Sequence, residues 1–322
     1  MITPTHNTSS TTTLRKHPPL AVSVTIVLLI AFVLPTAVAY LLPSNPTQYY
    51  KAYSLKHRIW EETDTPRLML AGFSETAFGF DSQMIEDATS YHVCNFGLHS
   101  GLGSDIVLSD MISLLHTGDV VVYSVPVEEI VLGPEANAQS LPFLIDLCKE
   151  KLWTLSFGNL KQLLSGSSHL LRGKLHYNFG QLIGLKTFDP NYNCLNFNDH
   201  GDESAHWYKS PIFTPSTAES SQAEIPLSSF NERHYQLILQ RVHQLQSRGV
   251  KVLLTHPPMS SSIYKQYRNI SSHLQSRLNQ DDLHFILPTD SLILTEKELF
   301  DGTHANRQAV TRLTTLITQS LP

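Results

Sequence analysis

An α/β domain built on a flavodoxin-like, doubly wound parallel sheet, preceded by one membrane-spanning helix, is the fold that this 322-residue sequence predicts. Three observations predict it. Residues 20–42 read LAVSVTIVLLIAFVLPTAVAYLL without one charge, and about 20 apolar residues are what a helix needs to cross a bilayer. Beyond residue 66, short apolar runs alternate with longer amphipathic ones, the signature of βαβ units. The composition, 41% hydrophobic and 16% charged, is that of a chain able to bury a core.

The elements follow in order. Residues 1–19, rich in Thr and Ser, form a disordered cytoplasmic tail. Arg15 and Lys16 precede the apolar run and Glu61, Glu62 and Asp64 follow it, so the basic flank stays inside and the bulk of the chain lies outside. Pro35 kinks the helix near its outer end. Ala37-Val38-Ala39 has the small-x-small form that signal peptidase accepts, but the run exceeds the ~7 to 15 residues of a usual signal-peptide core, which favours a permanent anchor.

Residues 43–66 read as a polar connector, and residues 67–322 as the α/β domain. Strands are expected at 67–73, 93–96, 119–125, 250–255 and 283–287. The third is apolar throughout, as a strand buried on both faces should be. Ile106, Val107, Met111 and Leu115 mark a helix over 105–116, stopped by Gly118. Ser228 or Ser229 caps another, whose inner face is Tyr235, Ile238, Val242 and Leu245. A third follows the fourth strand, and the last spans about 305–320. Residues 130–226 interrupt this rhythm and predict a mostly helical insertion near the C-terminal edge of the sheet, where open α/β proteins bind ligands.

Several functions are disfavoured at once. The net charge is −5, with no basic cluster beyond Arg15-Lys16, so nucleic acid is not an expected partner. Cys94, Cys148 and Cys194 form no metal-type pair and permit at most one disulfide.

The chemistry-bearing residues lie at the two ends of the domain. Gly72-Phe73-Ser74-Glu75 places a serine directly after the first strand, where its hydroxyl emerges at the sheet edge. A serine needs a base to act as a nucleophile. Asp301-Gly302-Thr303-His304 supplies one just before the last helix, with a spacing that lets the carboxylate fix the imidazole tautomer while the other ring nitrogen faces Ser74. The bland alternatives are a helix-capping Ser74, a turn-forming Asp301 and a surface His304. A polar run, Asn198-Asp199-His200-Gly201-Asp202 with His206, lines the pocket, binds a metal through His200, Asp202 and His206, or forms an ordinary loop. Its spacing matches no established metal signature.

These blocks resemble the SGNH (GDSL-like) hydrolase superfamily, in which Gly-Asp-Ser follows strand one and Asp-x-x-His precedes the final helix. Phe73 stands where the family has Asp. The resemblance implies catalytic roles for Ser74, His304 and Asp301, and oxyanion donors from Ser74 and from a second-block glycine, Gly101 with Gly97 in reserve. The third block, Gly-x-Asn-Asp in the family, is replaced by Pro126-Val127-Glu128-Glu129. Loss of one oxyanion donor typically costs about 10²- to 10³-fold in rate.

The string Gly72-Phe73-Ser74-Glu75-Thr76-Ala77-Phe78-Gly79-Phe80, with residues 95–103 and the anchor, is similar to a membrane-anchored branch that includes alginate acetylation proteins and the lipoteichoic acid D-alanylation protein. That branch implies an acylated glycan or envelope polymer as partner, with a membrane-embedded acyl-transfer partner beside it. It also implies a single pass through the cytoplasmic (inner) membrane, with the domain periplasmic or extracellular. Two functions follow as expectations. One is an extracytoplasmic acyl-ester hydrolase or O-acyltransferase needing no metal or organic cofactor. The other is a catalytically degenerate glycan-binding or assembly protein that has kept the fold.

Overall fold

The computed structural model describes residues 20–185, 189–212 and 223–322; the expected tail, residues 1–19, lies outside them. The uncharged segment is a single helix, α1 (Leu20–Leu41), about 33 Å long at 1.5 Å per residue. Among the residues whose side chains are described, no helix is long and apolar enough to cross a membrane. The side chains at most central positions of α1 lie outside that set.

The connector differs from expectation: it contains a 3-10 turn (Tyr49–Lys51) and a helix, α2 (Ala52–Glu62), packed against one edge of the sheet. Tyr53, Lys56 and Trp60 form its buried stripe. The lysine disguised the pattern as polar. Its ammonium is fully buried, donating to the carbonyls of Asn95 (2.8 Å) and Gly201.

The remaining elements alternate as the periodicity requires. They run β1 (Arg67–Gly72), α3 (Ser74–Gly79), α4 (Ser82–Ala88), β2 (His92–Gly97), α5 (Gly103–Leu114), β3 (Val120–Ser124) and α6 (Val127–Leu132). The insertion supplies α7 (Leu141–Leu147) and the 26-residue α8 (Phe157–Leu182). The chain returns through α9 (Glu232–Ser247), β4 (Lys251–Thr255), the short β5 (Met259–Ser260), α10 (Ser261–Gln280), β6 (Ile293–Leu294) and α11 (Arg307–Gln319). Side-chain oxygens cap five of the described helices: Asp81 caps α4, Ser156 α8, Asn231 α9, Ser260 α10 and Asn306 α11. The cap of α9 is thus Asn231, while the expected Ser228 and Ser229 sit in a preceding 3-10 turn.

The main sheet is parallel in the order β2-β1-β3-β4. The expected fifth strand, 283–287, is reduced to a bridge between Leu254 and Phe285, supported by the Ile286 amide on the Leu254 carbonyl (2.9 Å). Asp282, at a φ of +57°, and Pro288 bracket the segment, leaving little extended chain between them for a ladder.

Alternate residues of the strands feed two cores. Met69, Ala71, Phe96 and Val121 face α5, α9 and α10, whereas Leu68, Leu70, Val93 and Val122 face α4 and α11. Each of these side chains larger than Ala71 contributes roughly 1.5–3 kcal/mol when fully buried. Helices on both faces leave the C-terminal ends of β1 and β3, at the centre of the sheet, as the open edge.

Candidate active site

Beyond Gly72 the chain leaves β1 through Phe73, which is extended (φ −109°, ψ −160°), and enters α3 at Ser74. No side chain caps α3, and the Ser74 hydroxyl has no hydrogen-bond partner among the described residues. The capping role considered for Ser74 is therefore not the one it performs. It lines a cleft of about 430 Å³ together with Glu75, Phe78, His99, Thr303 and His304.

His304 arrives from the opposite end of the domain. The loop before α11 is pinched by a bridge between Leu299 and Ala305, with the Phe300 amide on the His304 carbonyl (2.8 Å). Inside it, Asp301 Oδ1 accepts from the amides of Thr303 (3.0 Å) and His304 (2.8 Å), and Oδ2 accepts from His304 Nδ1 (2.7 Å). That network assigns the proton to Nδ1, which leaves Nε2 as an acceptor. Nε2 is buried and unpartnered among the described residues. The Phe78 ring stacks on the imidazole at 4.0 Å between centroids. Ser74 and His304 share one cleft, although no hydrogen bond joins them in this state; catalytic pairs are often looser before substrate binds.

The insertion completes this arrangement with Tyr192, whose hydroxyl donates to Asp301 Oδ2. Burial alone would raise the Asp301 carboxyl, but the hydrogen bonds from His304 and Tyr192 and the charge of His304 hold it well below the usual carboxylate range. Tyr192→Phe is expected to lower kcat about tenfold, the worth of one hydrogen bond to a charged group. Steady-state kinetics of the purified variant check it.

The oxyanion donors expected from the second block are arranged otherwise. The Gly101 amide donates to His99 Nδ1 (2.9 Å), and a Cβ at Gly101 would lie 2.1 Å from Ser140 Oγ. Gly97 donates its amide to Asn95 Oδ1 (3.0 Å), and a Cβ there would lie 2.4 Å from the Ala77 nitrogen. Both glycines serve close packing, and neither amide is free for a ligand. The bond from Gly101 instead fixes His99 as the Nε2–H tautomer at the cleft wall. Burial, followed by the charge of His304, lowers His99 to about 4, so it remains a neutral donor at physiological pH. The sequence signal for His99 was present inside the second block but was overshadowed by the glycines around it.

Asn198, His200, Asp202 and His206 do not line the cleft. Asp202 accepts from the Ser82 amide (3.0 Å) and hydroxyl (2.7 Å), from Asn95 Nδ2 (2.8 Å) and from Asn198 Nδ2 (3.1 Å). His200 binds the Val93 carbonyl through Nδ1 (3.2 Å) and Gln83 through Nε2 (3.0 Å), while its own carbonyl accepts from the Asn95 amide (2.8 Å). This loop therefore covers the exposed edge of β2. His206 sits between Glu203 and the Ala305 carbonyl (2.9 Å), beneath the His304 loop. His200, Asp202 and His206 thus face different partners, and among the described residues they form no common metal-holding centre.

Residues that sequence reasoning assigned to a mere connector form the other wall: Asn45, Thr47, Gln48, Tyr49 and Tyr50. Where the Asn donor was missed, Glu128 and Glu129 lie behind Glu75. Burial, reinforced by Glu75, raises Glu128 to about 7. Burial also raises Glu129 to about 8, with Glu128 and Glu75 adding to the rise and Ser104 opposing it. A carboxyl raised by folding stabilises below its unfolded value, and that contribution is lost as pH rises through the folded value. Glu129→Gln should accordingly be near neutral at pH 5 and stabilising by on the order of 1–3 kcal/mol at pH 8.5, read as the shift in urea midpoint at the two pH values.

No protein-family model matches the chain, and no curated protein or solved structure does either.

Proposed function

We propose that the protein is a membrane-anchored serine acyl-ester hydrolase or O-acyltransferase of the SGNH type, working outside the cytoplasm on a cell-envelope or secreted polysaccharide. The observation that carries this reading is the shared cleft of Ser74 and His304, with Asp301 on His304 Nδ1 and Nε2 left unpartnered. The sheet order β2-β1-β3-β4, extended by the Leu254–Phe285 bridge, supports the flavodoxin-like assignment. The uncharged α1 after Arg15 and Lys16 supports the anchor.

In the proposed reaction, Ser74 Oγ attacks the acyl carbonyl carbon as its proton passes to His304 Nε2. Asp301 holds the imidazolium, and the oxyanion accepts hydrogen bonds from the Ser74 amide and His99 Nε2–H. The tetrahedral species collapses as His304 returns the proton to the departing sugar oxygen, leaving the acyl group on Ser74. Water then releases it as an acid; a second sugar hydroxyl accepts it in a transfer.

The engaged Gly101 amide and the absent Asn donor favour a second reading, a degenerate site that holds a glycan against Tyr49, Tyr50 and Tyr192 without cleaving it. A fluorophosphonate probe separates the two. Covalent labelling that disappears in Ser74→Ala supports the enzyme; an unlabelled wild-type chain that binds glycan supports the second reading.

A further inference from the structure

The insertion carries a feature that the chemistry does not use. Phe157, Leu160, Leu164, Leu175, Phe179 and Leu182 form one exposed stripe along α8, with Phe157 86% and Leu182 82% accessible. Their separations are those of one face of a 3.6-residue helix. The opposite face, with Leu163, Leu170 and Lys174, packs inward. Such a stripe is more than the scattered apolar side chains of an ordinary surface.

Two further observations indicate what covers it. First, α8 contains no acidic residue, and Lys161 and Arg172 lie exposed beside the stripe. The other lysine, Lys174, is buried and neutralised by Asp146 (2.6 Å). Second, α8 packs against α1, and it holds the chain leaving α1: Lys174 Nζ donates to the Leu42 carbonyl (2.8 Å) and Asn178 Nδ2 to that of Pro43 (2.9 Å). The stripe stays exposed with α1 in place. Just before α8, Trp153 is 87% exposed, an aromatic of the kind that settles at headgroup level.

We propose that α8 lies in the headgroup–acyl boundary of an anionic bilayer, stripe inward, as a second membrane contact beside α1. Apolar side chains immersed a few ångströms deep with basic residues at the headgroups are the binding mode of interfacial helices. The inference rests on the reading of α1 as an anchor and is independent of the chemistry of Ser74.

The test uses the full chain reconstituted in phosphatidylcholine–phosphatidylglycerol vesicles containing brominated acyl chains, with tryptophan emission as the readout. Trp60 is 1% exposed and Trp207 is half-buried under the Arg307 guanidinium, so the background from these two is measured in Trp153→Phe. Brominated lipid is expected to quench a component that Trp153→Phe lacks. The double variant Phe179→Asp, Leu182→Asp should lose the quenching while still floating with the vesicles through α1. If the wild-type chain floats but Trp153 remains unquenched and open to aqueous iodide, the α8 proposal is overturned and the anchor stands. Cross-linked pairs under those conditions assign the stripe to a second copy, which also overturns it. Quenching that persists in the double variant does so too. A chain that does not float removes the anchor and this inference together.

Discussion

Ser74→Ala and His304→Ala are each expected to lower kcat/KM for a p-nitrophenyl acetate substrate by about 10³-fold or more, with the double variant scarcely worse than either single one. The expectation follows from geometry. The Ser74 hydroxyl has no partner to polarise it except a base in the same cleft, and His304 Nε2 is the unpartnered acceptor there. A nucleophile and its base act as one unit, so removing the second after the first changes little. The absolute wild-type rate should be modest, because no Asn donor follows β3, and one missing donor typically costs about 10²- to 10³-fold. Steady-state hydrolysis with purified variants reads both numbers. Retention of more than a tenth of the activity in Ser74→Ala would sink the assignment of that serine as nucleophile.

The largest expected loss of stability lies away from the cleft, at Asp202. Asp202→Ala would leave the Ser82 amide and hydroxyl, Asn95 Nδ2 and Asn198 Nδ2 without their acceptor, in a place where Asp202 itself is fully buried. Buried donors stripped of a partner keep their desolvation cost, and the expected penalty is about 3–5 kcal/mol. It should appear as a lower urea midpoint with little change in slope. The control is Asp202→Asn, which retains one acceptor oxygen and should fall between the two. A loss under about 1 kcal/mol for the alanine variant would show that the loop does not depend on this carboxylate.

That residue also illustrates which parts of the molecule were legible in sequence. The strands and principal helices announced themselves through period, since β1, β3 and β4 are continuous apolar runs and α9 repeats its core face at Tyr235, Ile238, Val242 and Leu245. Ser74, Asp301 and His304 were legible because each sits at a boundary between elements, where a short motif reports its own surroundings. The roles of Asp202 and His206 were not, because decisive partners are distant in the chain: Asn95 lies 107 positions from Asp202, and Ala305 lies 99 from His206. Histidine and aspartate clustered in a polar loop look the same in sequence whether they face a ligand or hold a loop against a strand. Helix α2 was missed for a related reason, since only tertiary contacts reveal that Lys56 points inward.

The position of Tyr49 and Tyr50, a few residues past the end of α1, has a practical corollary. Under the proposed function, α1 and the cleft wall beside Ser74 would form one continuous ribbon, and the cleft would open within a short reach of the lipid surface, where the polymer would meet it. A secreted form trimmed at Ala39 would keep that ribbon intact, whereas a recombinant fragment started at the first strand would lack it and have an incomplete mouth.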